Sequence, residues 1–429
     1  MSSSRRELLL AALCSPLLAL PLRARPNDEA PKYPSGYTES PAEIGGKSFD
    51  QWMQDLSHPD PSVRAEAVMV MPLFRLRGED AIRKLARMAQ NDGDASPRAK
   101  AVLALGMMGV KSGDRETVVR ALGHCVAHDP QTIIRYEAAR ALPRFGPDAR
   151  IIITDVVMGM GNNSTFEVRE ACIIALRAAG VDPAKGPDPR VTDALIARLN
   201  PATEPTRKVR LQAIMALGGM GRPQDPGKYT QVMAALKGPY TYKSRDKVVK
   251  LWSHVAIMAL DDKVDESYLK TIVEYMRDRE REVRVNAVRA MGALGVKAHE
   301  YLRDVIRLLD DKDIQVKLAT IEALGHMGDR SERVLDALIK ATELEGSAKD
   351  VLPVVMAACT ALVQVGVPSP QVISALTKAS ERKDLDEQQK FMILKMIEEI
   401  KKPKEDVKLR TDKVPAQPKK DINKKPGGR

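Results

Sequence analysis

Two histidines, His124 and His128, stand four residues apart. On a helix that spacing puts both imidazoles on one face, as in the His-Glu-x-x-His motifs that grip zinc. Here Cys125 takes the glutamate position, no third ligand is evident in the sequence, and Asp129 reads as a turn residue. No metal and no cofactor are therefore expected. Gly45-Gly46-Lys47-Ser48 ends like a phosphate-binding loop, but Pro41 stands where its first glycine belongs and no strand-like segment precedes it. That match is read as coincidental, and "GMGNNS" at 159–164 carries no dinucleotide fingerprint. Cys14, Cys125, Cys172 and Cys359 are scattered singly, which is neither a disulfide framework nor a zinc spacing. Nothing in the sequence points to a nucleophile paired with a base, so no catalytic residue is assigned.

The elements that would position such residues are written as a repeated phrase. "VRVNAVRAMGALG" (283–295) and "VRLQAIMALGGMG" (209–221) are nearly identical, and related phrases begin at Val63, Pro97, Ile134, Val168, Trp252, Val316 and Val354. A drifting period in the thirties with a helical motif marks a helical solenoid. Positions 1, 5 and 9 of the phrase are mostly apolar and position 8 is nearly always alanine, as at Ala104, Ala216, Ala259 and Ala323. Steps of three and four put these side chains on one helical face, and alanine lets a neighbouring backbone approach. Position 13 is usually glycine, which ends a helix without strain. A second helical pattern precedes each phrase, as in "DAIRKLARMAQ" at 80–90 and "RVLDALIKA" at 333–341. Each unit is thus an antiparallel helix pair that must stack on its neighbours to bury its apolar faces. The segment 386–400 would cap the C-terminal end. Position 2 is Arg or Lys at Arg64, Arg98, Arg135, Arg169, Arg210, Arg284 and Lys317, often with an acid or amide a few residues ahead. Such regular recurrence favours a structural ladder between neighbouring turns over a line of anion-binding arginines.

Lys and Arg total 68 against 57 Asp and Glu, giving +11. The excess sits at the ends: about +3 in residues 1–26 and about +7 in 401–429, leaving about +1 for the body. The high pI therefore gives no nucleic-acid footprint on the body. Residues 1–26 read as a secretory signal, with Ser4-Arg5-Arg6 before Leu8 and Leu9 resembling a twin-arginine export signal. The apolar run is short for a membrane span, so no integral span is expected beyond an uncleaved N-terminal anchor. Residues 27–47 read as an unstructured spacer and 401–429 as a basic disordered tail able to touch an anionic polymer or surface.

The phrase resembles the HEAT repeat, in particular the short type known from bilin lyases. The resemblance spans residues 48–400 and implies an all-α fold, a right-handed α-α superhelix of about nine helix pairs. Repeat 6 departs from it by lacking the arginine and terminal glycine, repeat 9 lacks the arginine, and the first has Pro72 and Arg75 where others have glycine. An iron hydroxylase of this fold uses several His-Glu pairs; here there is one, His299-Glu300, which cannot build a dinuclear site. With no catalytic constellation in the sequence, the resemblance implies a non-catalytic scaffold that binds another protein or peptide, and the export-like start implies that it works in the periplasm or beyond. The alternative is an enzyme or binder of the same fold acting on a bilin-like ligand or nucleic acid. Two sets of residues are candidates for binding. One is the position-7 row that would line the inner curve: Met69, Leu103, Ile174, Met215 and Met258, soft side chains suited to an adaptable groove. The other is the inserted loop 237–247, with Lys237, Tyr240, Tyr242, Lys243 and Arg245.

Overall fold

A computed structural model describes residues 41–402, apart from 75–79, 109–113, 162–163, 183 and 262–264. The export-like start, most of the spacer, nearly all of the basic tail, and Arg75, Gly109 and Asn163 lie outside the described residues. The chain is an all-α solenoid that divides into two compact units, the first ending at Tyr268 and the second beginning at Leu269.

The first unit opens on a two-residue hairpin, β1 (Glu43–Ile44) and β2 (Lys47–Ser48), turned by Gly45 and Gly46. The end of the expected spacer is therefore folded. Its physical cause is local: the Trp52 Nε1 donates to the Ile44 carbonyl at 2.9 Å, and Lys47 pairs with Asp55 at 2.8 Å. Ser48 then caps the helix Phe49–Asp55 in a reciprocal capping box with Gln51. The lysine and serine that mimic a phosphate loop are spent on this turn.

Helix pairs follow. The first helices of successive pairs are α1 (Phe49–Asp55), α3 (Ile82–Asn91), α5 (Arg115–His128), α7 (Ile153–Gly159), α9 (Pro189–Ala197) and α11 (Pro226–Leu236). The second helices are α2 (Pro61–Val70), α4 (Ala95–Met108), α6 (Thr132–Ala141), α8 (Phe166–Ala179), α10 (Arg207–Gly219) and α12 (Lys247–Leu260). Each second helix packs on its own first helix, and successive second helices from α2 to α12 pack on one another; α3, α5, α7, α9 and α11 stack likewise. This nearest-neighbour pattern is what a solenoid requires. Several starts are written as acid or serine followed by proline: Asp60-Pro61, Asp188-Pro189 and Asp225-Pro226 cap with a side-chain oxygen and begin with a residue whose φ is already helical.

The second unit begins inside α13 (Glu266–Tyr275). It continues with α14 (Arg281–Leu294), α15 (Leu302–Ile306), α16 (Ile314–Met327), α17 (Glu332–Thr342), α18 (Ala348–Val365), α19 (Pro370–Ser380) and α20 (Glu387–Lys401). The second helices α14, α16 and α18 stack in series, and α20 closes the row against α18 and α19. Gly328 and Gly366 end α16 and α18 in the left-handed conformation, φ 63° and 71°, so the terminal glycine of the phrase acts as the stop the sequence implies.

Close approach between second helices uses a glycine at position 10 against the alanine of the next repeat. A Cβ on Gly106 would lie 2.9 Å from Ala141 Cβ, and one on Gly292 would lie 2.8 Å from Ala323 Cα. In repeat 6 the same rule picks Ala256: a Cβ on Gly218 would lie 2.7 Å from its Cα, while Ala259 is exposed. The phrase there starts at Val249, not Trp252. Lys250 then fills the basic position, four residues after the N-cap Asp246.

The recurrent arginines form a ladder. Nη1 of Arg64, Arg98, Arg210 and Arg284 donates to carbonyls five and six residues earlier, closing the turn before its own helix. The rest of the fork reaches the next repeat: Arg64 to Asp92, Arg98 to Asp129, Arg169 to Glu204, Arg284 to Asp311. No helix among the described residues is long and apolar enough to cross a membrane.

Candidate functional site

On the second helices, positions 1, 5 and 8 face the core, which leaves positions 7 and 11, one turn apart, on the opposite side. In the first two repeats both are apolar and open: Met69 is 40% exposed, Leu73 54%, Leu103 38% and Met107 59%. Met69 on α2 and Leu103 and Met107 on α4 lie on helices packed side by side, and Leu73 stands in the 3-10 turn Met71–Phe74 that follows α2. The next repeat breaks the strip with Arg140, which pairs with Glu137 at 3.1 Å and lies over the Tyr136 ring.

The rest of the expected row does not continue it. Ile174 is half-buried, and Met215 is buried on α10, one turn before Gly218, where that helix meets Ala256 of α12. Met258 is fully buried because the register of repeat 6 is shifted by three residues, which turns it from the inner row into the core. Val255 holds position 7 there and is buried as well. Leu73 and Met107 were not among the expected residues; their spacing of four from Met69 and Leu103 was the available signal.

The inserted loop is folded by Thr241, whose buried hydroxyl bonds the carbonyls of Ala235 and Leu236 at 2.8 and 2.7 Å. Lys237, Tyr240, Lys243 and Arg245 face solvent. Tyr242 does not join them. It turns inward, 5.1 Å from the ring of His254, which stacks on Tyr268 at 4.6 Å and 19°. His254 is buried and neither ring nitrogen has a hydrogen-bond partner. Burial, helped by the charge of Lys250, pushes its pKa down to about 4, so the imidazole is neutral.

His124 and His128 lie on one face of α5, ring centroids 4.8 Å apart, beside a cavity of about 170 Å³. Among the described residues no three His, Cys, Asp or Glu side chains gather as a metal cluster. His299 is drawn away from any pairing with Glu300: its Nδ1 lies 3.5 Å from Asp329 and its Nε2 3.4 Å from the Met327 carbonyl. Cys125, Cys172 and Cys359 are buried, and burial pushes each thiol up to about 12, which leaves no thiolate for nucleophilic work.

The model for HEAT repeats matches residues 49–143, 269–351 and 305–391, together just over half of the chain. The chain belongs to the HEAT-repeat family. No curated protein matches this HEAT-repeat protein. Among solved structures it is similar to an engineered protein at 17% identity, over 82% of this chain and 98% of that one, with TM-score 0.38. It is also similar to the karyopherin Kap121p, solved bound to the extreme C-terminus of the protein phosphatase Cdc14p, at 12% identity and TM-score 0.41. That likeness covers 81% of this chain and 41% of the karyopherin's length. A third similar structure is YibA of E. coli, at 17% identity, over 74% of this chain and 91% of that one, with TM-score 0.35.

Proposed function

We propose that this HEAT-repeat protein is a non-catalytic scaffold that binds an apolar helical segment of another protein along Met69, Leu73, Leu103 and Met107, and that it works outside the cytoplasm. The observation that carries the reading is this strip. Four large apolar side chains stand open to solvent, four residues apart in each of two neighbouring repeats. Covering such surface returns about 25 cal/mol per Å², and unbranched methionine adapts to the shape laid on it. An amphipathic helix offers matching anchors at the same spacing. The repeat itself does not demand this character, because position 7 in the second unit reads Arg289, Glu322 and Thr360, with Arg289 3.7 Å from Glu322. Glu66 and Arg140 stand at the edges of the strip and would set the orientation of a partner through its charges. Export rests on the sequence of residues 1–26, and the basic residues of 401–429 would add a weak, salt-sensitive contact to an anionic surface.

The test compares three proteins in a quantitative pull-down from an exported-protein fraction of the source organism: wild type, Leu103→Asp/Met107→Asp, and the control Thr360→Asp. A protein held by wild type and control but lost from the double variant supports the reading. An identical set held by all three removes it. Residues 1–47 fused to a reporter are expected to carry it out of the cytoplasm.

A further inference from the structure

We propose that the cavity between the C-terminal ends of α3 and α5 binds a divalent late-transition-metal ion, Cu²⁺, Ni²⁺ or Zn²⁺, through His124 and His128. The two imidazoles are already paired, with centroids 4.8 Å apart and planes tilted by 44°. Both side chains are exposed, and among the described residues neither makes a hydrogen bond or ion pair. Their helix is fixed on several sides by α3, α6 and α7, so the spacing is held by the fold rather than assembled by the ion.

The surroundings explain why the imidazoles, and not other groups, would do the holding. Both carboxylates in the cavity wall are committed: Asp129 to Arg98 at 2.8 Å and Asp92 to Arg64 at 2.7 Å. Their charge is thus already matched. Cys125, between the histidines in sequence, gives its S–H to the Ala89 carbonyl at 3.2 Å and is buried. Asn91, also in the wall, spends its amide N–H on the Arg87 carbonyl, which leaves its own side-chain oxygen as an acceptor. Two nitrogen ligands with no third protein ligand give an open site, the remaining positions taken by water in the cavity. Imidazole suits zinc, copper and nickel, and the affinity order puts Cu²⁺ first.

The experiment titrates the full chain with Cu²⁺ and, separately, Zn²⁺ in a non-coordinating buffer. Calorimetry follows binding, and electron paramagnetic resonance follows the copper form. One saturating ion per chain is expected, with a two-imidazole copper signal. His124→Ala and His128→Ala should each weaken binding by at least about tenfold, since loss of even an outer partner of a metal ligand costs that much. Both positions are exposed, so circular dichroism should show the fold retained. His326→Ala, an exposed histidine elsewhere, should leave the affinity unchanged. No saturable binding, or equal affinity in wild type and His124→Ala, would overturn the proposal.

Discussion

The guanidinium of Arg98 holds the carboxylate of Asp129, thirty-one residues further along the chain, at 2.8 Å, with both residues buried. The same arginine closes the turn before its own helix through the carbonyls of Asp92 and Gly93. One side chain therefore joins two neighbouring repeats. Asp129→Ala would leave the arginine charge buried and unpaired, which costs about 3 kcal/mol. Arg98→Met/Asp129→Leu should recover much of that loss, because both charges go together. Urea denaturation of the three proteins checks this; equal loss in the single and double variants would mean that the stranded arginine charge is not what destabilises Asp129→Ala.

The glycine and alanine that let second helices touch give a sharper test of register. Ala256→Leu would push α10 and α12 apart at Gly218, and overpacking of this kind costs about 1–3 kcal/mol. Ala259→Leu, at an exposed position, should stay within about 0.5 kcal/mol. Thermal melting of the two variants separates the two alignments of repeat 6.

The solenoid was legible in the sequence because each repeat states its own helix, its close-approach alanine and its stop. The misreading of repeat 6 has a plain cause: Ala256 and Ala259 both offer an alanine, and only the distance to Gly218 chooses between them. The arginines were legible as a ladder, and their partners in part: Asp94 and Asp129, each a few residues ahead of an arginine, receive the forks of Arg64 and Arg98 from the repeat before. Asp60 instead caps its own helix, and Asp311, two residues ahead of the N-cap Asp313, receives Arg284. The candidate surface was half legible. Met69 and Leu103 were visible as a periodic row, whereas the inward turn of Tyr242 depends on a ring stack with His254 that no local pattern records.

That stack predicts a specific acid response. The pKa of His254 falls from 6.5 to about 4 in the folded protein, so the unfolded chain takes the proton first. Its contribution is whole above pH 6.5 and is lost as pH falls from 6.5 toward 4, by at most about 3 kcal/mol. Glu204 acts lower. Burial raises its pKa, but the hydrogen bonds from Arg169 and the Thr206 N–H, together with the charges of Arg169 and Arg198, outweigh this and leave it below 4.5. Its contribution is present above pH 4.5 and is lost as pH falls further, through the folded value. His254→Leu removes no hydrogen bond, so it should flatten the stability curve between pH 6.5 and 4.5 and leave the lower fall in place. Denaturant midpoints measured across pH 3.5–8 read both windows. An unchanged slope above pH 4.5 in the variant would assign it to another group.

Two methionines from one expected row should now behave as opposites. Met258 is fully buried in α12, and Met258→Ala should cost about 2–5 kcal/mol through lost contacts and the cavity left behind. Met69 is exposed on α2, and Met69→Ala should change stability by no more than about 0.5 kcal/mol. Guanidinium unfolding of the pair measures both, with the slope of each transition confirming that the native state is unchanged. A small effect at both positions would put Met258 back on the surface row and undo the three-residue shift of repeat 6.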